Sequence, residues 1–115
     1  MLRLAQDGMR FSVRVGAVCL CDGHVLLAGT EADGFWILPG GHGELLERTD
    51  DTIRRELREE LEVEVEVGRL LWVVENFFIY AGVRSHSISF IFEAHLPVGC
   101  DLLDTTRDFE GTDEG

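Results

Sequence analysis

The stretch GHGELLERTDDTIRRELREELEV, running from Gly41 to Val63, decides how this chain is read. It holds eight acidic residues in 23 positions. A helix so rich in carboxylates is ordinarily a solvated face, but the spacing here is specific. Glu56, Glu59 and Glu60 stand at i, i+3 and i+4, so at about 100° per residue they share an arc of about 100° on one side of a helix. Like charges at that spacing repel, and gathering three of them calls for a compensating cation. Hard divalent ions such as Mg²⁺ take oxygen ligands, a few from carboxylates and the rest from phosphates and water. On the same helix Ile53, Leu57 and Leu61 recur every fourth position as a buried stripe. Thr49 or Asp50 is placed to cap its start, and Asp50 and Asp51 suit the positive end of the helix dipole. Glu56 and Glu60 flank the stripe and are expected to be partly solvated, with Arg54 and Arg58 projecting away from it.

On the amino-terminal side, residues 11–20 alternate and then turn continuously apolar, the pattern of a strand entering a core. Asp22-Gly23 before His24–Ala28 predicts a tight hairpin. Residues 31–34 read as a surface loop, Phe35–Leu38 as a short strand, and Pro39-Gly40-Gly41 as a turn. On the carboxy-terminal side, residues 62–67 switch from helical period to strict alternation, which predicts a strand with one wet face. Residues 69–75 and 77–80 continue as sheet, Ala81-Gly82 marks a turn, and residues 85–96 form the last clear strand before Pro97. The predicted order is β-β-β-loop-α-β-β-β, an α/β fold. A single domain covers 1–115, with residues 1–10 a loosely held lead-in and 98–115 an acidic loop or tail.

Composition narrows the function. Ten Lys+Arg against 22 Asp+Glu leave a formal charge of −12, which argues against a partner such as a nucleic-acid polymer, whose backbone needs a basic stripe. An acidic protein can still handle an anionic small molecule if a metal ion bridges the two. Hydrophobic content of 45% and mean hydropathy of +0.06 suit a packed globule. No apolar run approaches the length of a membrane span, and no signal-peptide pattern opens the chain. Three cysteines make no disulfide framework, and the spacing of Cys19, Cys21 and Cys100 resembles no zinc site, so a reduced, cytoplasmic location is expected.

The quoted stretch resembles the Nudix box, G-x5-E-x7-R-E-U-x-E-E-x-G-U with U a bulky aliphatic. Gly41, Glu47, Arg55, Glu56, Leu57, Glu59, Glu60 and Val63 stand at its fixed positions. Glu62 takes the place of the family's glycine and is expected to disturb the helix exit, where that glycine usually adopts a left-handed conformation. Leu46 stands where a small residue is common. Trp36-Ile-Leu-Pro-Gly-Gly41 also resembles the family's W-x-L-P-G-G lead-in, and Glu44 matches its frequent acidic residue. The resemblance covers about residues 11–96.

That resemblance implies a Nudix-like α/β/α sandwich around a mixed β-sheet. It also implies a Mg²⁺- or Mn²⁺-dependent hydrolase that cleaves the pyrophosphate linkage of a nucleoside diphosphate derivative. Nucleoside triphosphates and ADP-ribose-type sugars are the leading substrates, ahead of dinucleoside polyphosphates. Glu56 and Glu60 are the primary metal ligands implied; Glu59 is a further ligand or the base. A carbonyl of Gly40 or Gly41 is a candidate to add an oxygen. Arg55 is expected to lie off the carboxylate cluster and to pair with Glu47, anchoring the loop to the helix. Glu44, His42 and Phe77 are candidate substrate contacts, each with a plain rival. Those rivals are a solvent-facing carboxylate or second-metal ligand for Glu44, a surface histidine for His42, and core packing for Phe77.

His86 and His95 are expected to sit on strand faces without a role, and Trp36 and Trp72 to be core residues. In the acidic tail, Glu110 and Glu114 are candidates to join the site, against a disordered tail. Family members usually continue with a further strand and a C-terminal helix, missing here. The expectation is a truncated chain whose exposed apolar sheet face promotes a homodimer. Two rivals from other classes remain: a noncatalytic Nudix-fold module that senses a nucleotide or binds protein, or an inactive fragment. An acidic α/β domain with fortuitous spacing is the plainest rival.

Overall fold

The computed structural model describes residues 2–29, 34, 36–100, 102 and 104. Along the chain these form β1 (Arg3–Gln6), β2 (Met9–Val18), β3 (Leu20–Cys21), β4 (His24–Val25), β5 (Ala28–Gly29), β6 (Trp36–Ile37) and β7 (Gly40–His42). Helix α1 (Thr49–Leu61) follows, then β8 (Glu66–Tyr80) and β9 (Val83–His95). The main sheet is mixed and runs β1-β2-β9-β8, with β7 also on β2. Its centre is the parallel pairing of β2 with β9, from Arg10 opposite Ser85 to Val18 opposite Glu93. Two short ribbons, β3-β4 and β5-β6, complete the strands.

The helix docks on one sheet face because its stripe matches the alternation of β2 and β9. Ile53 and Leu57 are fully buried and meet Val15, Ala17, Cys19, Val65, Phe92 and Ala94 in one core, with Leu61 packed against it. Residues i and i+2 of a strand share a face, so the even-numbered residues of β2 look out from the opposite side. Tight turns behave as the sequence predicts. Asp22 and Gly23 take φ of 50° and 78°, and Ala81 and Gly82 of 51° and 77°, the left-handed pair that matches strand twist in a two-residue hairpin.

Several expectations are corrected. The lead-in is not loose: β1 pairs with β2 through the Asp7-Gly8 turn. Pro39-Gly40-Gly41 does not simply turn, because Gly40–His42 adds a strand to β2. The helix is preceded by Arg48 at the cap, without a side-chain cap bond from Thr49 or Asp50; the Thr52 N–H donates to the Arg48 carbonyl at 2.9 Å. Residues 62–65 cross from helix to sheet before β8 begins at Glu66. Trp36 and Trp72 are exposed, at 64% and 60%, rather than core, since alternation alone does not say which face is covered. Residues 31–33, 110 and 114, with the loop and tail readings placed on them, lie outside the described residues. Among the described residues one α-helix packs on the sheet.

Glu62 does what the family's glycine would do. It sits at φ 57°, ψ 36°, with its N–H donating to the Arg58 carbonyl at 3.0 Å. An L-residue there carries a steric cost of about 1–2 kcal/mol, which glycine avoids. Glu62→Gly is therefore expected to stabilise the fold by about 0.5–1 kcal/mol in urea unfolding, once glycine's greater unfolded freedom is offset. Leu57→Ala is expected to cost about 2–5 kcal/mol in the same measurement, because it empties the centre of the layer that α1 builds against the sheet.

Candidate functional site

The site begins at a glycine pair. Gly40 sits at φ 153°, and a Cβ there would fall 2.1 Å from the Val15 carbonyl oxygen, so only glycine lets β7 lie this close to β2. A Cβ on Gly41 would fall 2.4 Å from the carboxyl carbon of Glu56. The bare backbone of β7 thus makes room for a helix carboxylate.

From there the chain passes Gly43 into a tight loop. The Glu47 N–H donates to the Glu44 carbonyl at 3.2 Å, and the Glu44 N–H donates to Glu47 Oε1 at 3.3 Å. Leu46 adopts φ 66°, a backbone that a smaller residue takes at less cost, and its side chain is exposed.

Arg55 ties loop, strand and helix together. Its Nε donates to Glu47 Oε2 at 2.8 Å and its Nη2 to Glu47 Oε1 at 3.0 Å, a bidentate fork. Nη2 also donates to the His42 carbonyl at 3.0 Å. Its Nη1 donates to Glu56 Oε1 at 2.9 Å and to Glu59 Oε2 at 3.3 Å. The expectation that Arg55 lies off the carboxylate cluster is therefore wrong: the long side chain curls back over the turn that carries Glu56. Thr52, fully buried, adds a bond from Oγ1 to Glu47 Oε1 at 2.7 Å. Sequence reading missed Thr52; its position inside the first helical turn, five residues after Glu47, was the available signal. With Arg55 first among its partners, the Glu47 carboxyl is held down at about 2.

Glu56 and Glu60 come together beside β7. Burial raises both carboxyls, and each stands within hydrogen-bonding reach of the other. Burial first, and the Glu56 charge second, push Glu60 up to about 8, against a Gly40 N–H that favours its charged form. Glu59 is not part of this pair; it turns to Arg55. Among the described residues no three Cys, His, Asp or Glu side chains converge as a metal cage. Two half-buried carboxylates beside a bare glycine backbone, partly solvated as expected, nonetheless form a donor set that suits a hard divalent ion, whose remaining ligands come from phosphate and water.

His42, expected at the surface, is half-buried. It stands opposite Arg14 across the β2-β7 pairing, and Arg14 Nη1 donates to His42 Nε2 at 3.3 Å. Burial, followed by the charges of Arg14, Arg3, the N-terminus and Arg10, lowers the imidazole to about 4, so it is neutral near pH 7. Arg14 also feels Glu56 and Glu60; it too was missed, because an arginine in an apolar run reads as simple alternation. The Glu44 side chain is at the surface.

Phe77 is not brought to the carboxylates. It is 71% exposed and stacks on His86, with ring centroids 4.3 Å apart and planes at 24°. Phe11 meets the other side of that ring edge-on at 5.1 Å, and Glu75 Oε2 lies 3.0 Å from His86 Nε2. His86 lies on strand β9, as expected, and has these partners there. This aromatic group borders a cleft of about 480 Å³ lined by Met9, Arg10, Phe77, Phe78, Arg84 and His86 among others. Arg10 and Val15 are five residues apart on β2, so the cleft and the glycine pair are separated by roughly 17 Å at the usual strand rise.

Two stability predictions follow from these charges. Glu47 has a depressed carboxyl, so its contribution is present above the unfolded value and is lost as pH falls through about 2. Glu47→Gln is expected to cost about 1.5–3 kcal/mol at pH 7, read by chemical denaturation, with the difference from wild type vanishing in acid. Glu60 has a raised carboxyl, so its contribution is full below the unfolded value and is lost as pH rises through about 8. In chelator, Glu60→Gln is expected to raise Tm at pH 8 and to leave it nearly unchanged at pH 4.

Comparison with known proteins places this geometry. The family model for the NUDIX domain matches residues 10–111. A MutT NUDIX hydrolase from Burkholderia pseudomallei is 34% identical, with TM-score 0.63 over 74% of this chain and 67% of that one. A mutator MutT protein from Bacillus halodurans is 26% identical, with TM-score 0.63 over 73% of this chain and 56% of that one. An ADP-ribose pyrophosphatase from Streptococcus suis shares the fold at 19% identity, with TM-score 0.60 over 89% of this chain and 69% of that one. No protein of curated function matches the sequence.

Proposed function

The chain belongs to the NUDIX family, and from that premise we propose that it is a divalent-metal-dependent hydrolase of the pyrophosphate linkage in a nucleoside diphosphate derivative. Nucleoside triphosphates and ADP-ribose-type sugars are the two substrate classes in view. The observation that carries this reading is the half-buried Glu56–Glu60 pair set against the bare backbone of Gly40 and Gly41.

Glu56 and Glu60, with a backbone oxygen of Gly40 or Gly41, would hold a Mg²⁺ or Mn²⁺ ion. Such an ion, when bound, neutralises charge on the phosphate oxygens and makes water more acidic. The chain's own groups do the rest. Glu59, at the rim of the pair, accepts the proton of the attacking water as general base. The new bond is from water oxygen to phosphorus; the anhydride P–O bond breaks, and the second phosphate leaves with its oxygen. Arg55 keeps Glu56 and Glu59 in place through its Nη1, while its fork to Glu47 holds the loop that approaches the phosphates. Phe77, beside His86, offers an aromatic face of the kind on which a nucleobase stacks.

None of the three cysteines is in a disulfide, which suits the reduced cytoplasm, and no helix among the described residues is long and apolar enough to cross a membrane. A homodimer is part of the same reading. Strand β8 ends the sheet path and exposes Trp72, Val73, Phe77, Ile79 and Tyr80. Sedimentation at micromolar concentration is expected to show a dimer, and a clean monomer would remove that element alone.

The catalytic reading is tested with a panel of nucleotides and Mg²⁺ or Mn²⁺. Glu60→Gln is expected to lower kcat by at least about a hundredfold, the scale of losing electrostatic stabilisation in a transition state. Turnover that persists in chelator would sink the metal assignment. Calorimetry showing no divalent binding by the wild type would favour the noncatalytic module instead.

A further inference from the structure

The end of the sheet far from the glycine pair holds the cleft bordered by Phe77 and His86, and three neighbouring strands build it. On β9, Arg84 and His86 are two apart and share the face that carries Phe92, Ala94 and α1. Strand β8 sets Ile79 opposite Arg84 and Phe77 opposite His86. From the other side β2 sets Phe11 beside His86 and brings Met9 against Arg84. The middle strand is thus the floor and its two neighbours are the walls. The enclosed volume of about 480 Å³ is that of a small-molecule site.

Two features of the lining specify a ligand. The first is a half-finished stack. Phe77 lies on His86 with centroids 4.3 Å apart, Phe11 braces the imidazole edge-on, and the Phe77 ring is exposed on its remaining side. A flat aromatic ring continues such a stack. The second is an underused cation. Arg84 is exposed, and its Nη2 donates to Met9 Sδ at 3.3 Å, although a thioether is a weak acceptor. Among the described residues no carboxylate makes a salt bridge to Arg84. No carboxylate lines the cleft either, in a chain with 22 acidic residues. Glu75 is engaged by His86 Nε2 at 3.0 Å, and Arg10, the other arginine of the lining, alternates to the opposite face. A guanidinium in this position is matched by the oxygens of a carboxylate or a phosphate.

We propose that this cleft is a second ligand site, separate from the carboxylate centre, and that it takes a planar aromatic ring bearing an anionic group. Separation follows from the register. Phe77 is level with Phe11, four residues along β2 from Val15, the partner of Gly41, and β7 and β8 are three strands apart. At usual strand rise and spacing, Phe77 and Gly41 are about 20 Å apart, beyond the span from base to phosphate within one nucleotide. The ring that stacks on Phe77 therefore belongs to a second molecule. A dimer paired through the backbone edge of β8 leaves this face open.

The test is a nuclear magnetic resonance titration of the whole chain in chelator, so its outcome does not depend on the pyrophosphate reading. Three probes separate the two demands: indoleacetate has ring and charge, tryptophol the ring alone, and cyclohexylacetate the charge alone. Indoleacetate is expected to shift the backbone amides of Met9, Phe77, Ile79, Arg84 and His86 saturably, and to bind about tenfold or more tightly than either other probe. The amides of Gly40, Gly41 and His42 are expected to stay in place. Arg84→Gln is expected to bring indoleacetate and tryptophol to within about threefold of each other. Phe77→Leu is expected to weaken both by about fivefold. Both side chains are exposed, so Tm is expected to hold in each variant. Adenosine monophosphate is the fourth probe: binding tighter than that of indoleacetate supports a nucleotide as the occupant, and weaker binding supports a plain aromatic acid. Indoleacetate that shifts nothing, that shifts Gly40 to His42 as well, or that binds both variants as tightly as the wild type overturns the second site. Movement of the cleft amides with protein concentration alone also overturns it, because a second copy then covers the cleft.

Discussion

Between Arg55 and Glu47 runs a two-pronged, charge-assisted contact at 2.8 and 3.0 Å, in which both side chains are largely shielded from water. The same guanidinium reaches the His42 carbonyl, Glu56 and Glu59, so one planar group touches β7, the loop after it and two turns of α1. A lysine has one point charge and could not hold these directions at once. Without this fork the loop from Gly43 to Arg48 has little to fix it, because Leu45 and Leu46 are exposed and contribute no packing. The carboxylate-bearing helix is thus located twice over: by the Ile53–Leu57 stripe beneath it and by Arg55 above.

This placement sets up an opposition of charges between a loop carboxyl and a helix carboxyl. Glu47 is surrounded by donors and strongly favours ionisation. Glu60, four residues along from Glu56, is buried against a like group and resists it. Two carboxyls of the same intrinsic acidity are driven in opposite directions by their different surroundings. The first is a structural anchor, the second a group whose charge awaits a counterion.

Much of this was legible in the primary structure. The period of Ile53 and Leu57, the hairpins at Asp22-Gly23 and Ala81-Gly82, and the spacing of Glu47 and Arg55 are local signals, and local signals survive folding. What escaped depends on distant partners. Gly40–His42 has no strand propensity of its own and pairs only because a bare Gly40 can approach Val15. Strand β1 has every residue exposed, so no apolar pattern marked it. The outward faces of Trp36 and Trp72 follow from which side α1 covers, which alternation cannot tell. Arg14 and Thr52 are ordinary in composition and acquire meaning from His42 and Glu47, 28 and five positions away.

The parallel partnership of β2 and β9 joins positions 75 apart, and a parallel pair cannot be closed by a short turn. Contacts of such reach are late events, since loop closure is opposed by entropy until many form together. On a ribosome, β1, β2, β7 and α1 all emerge before β9 exists. The carboxylate helix therefore has Val15 and Ala17 to lean on early, but half of its platform arrives only with Phe92 and Ala94. Until then β2 presents an open, apolar edge to the surrounding cell. Synthesis pauses before residue 95 would leave that edge uncovered, the kind of exposure from which chains aggregate.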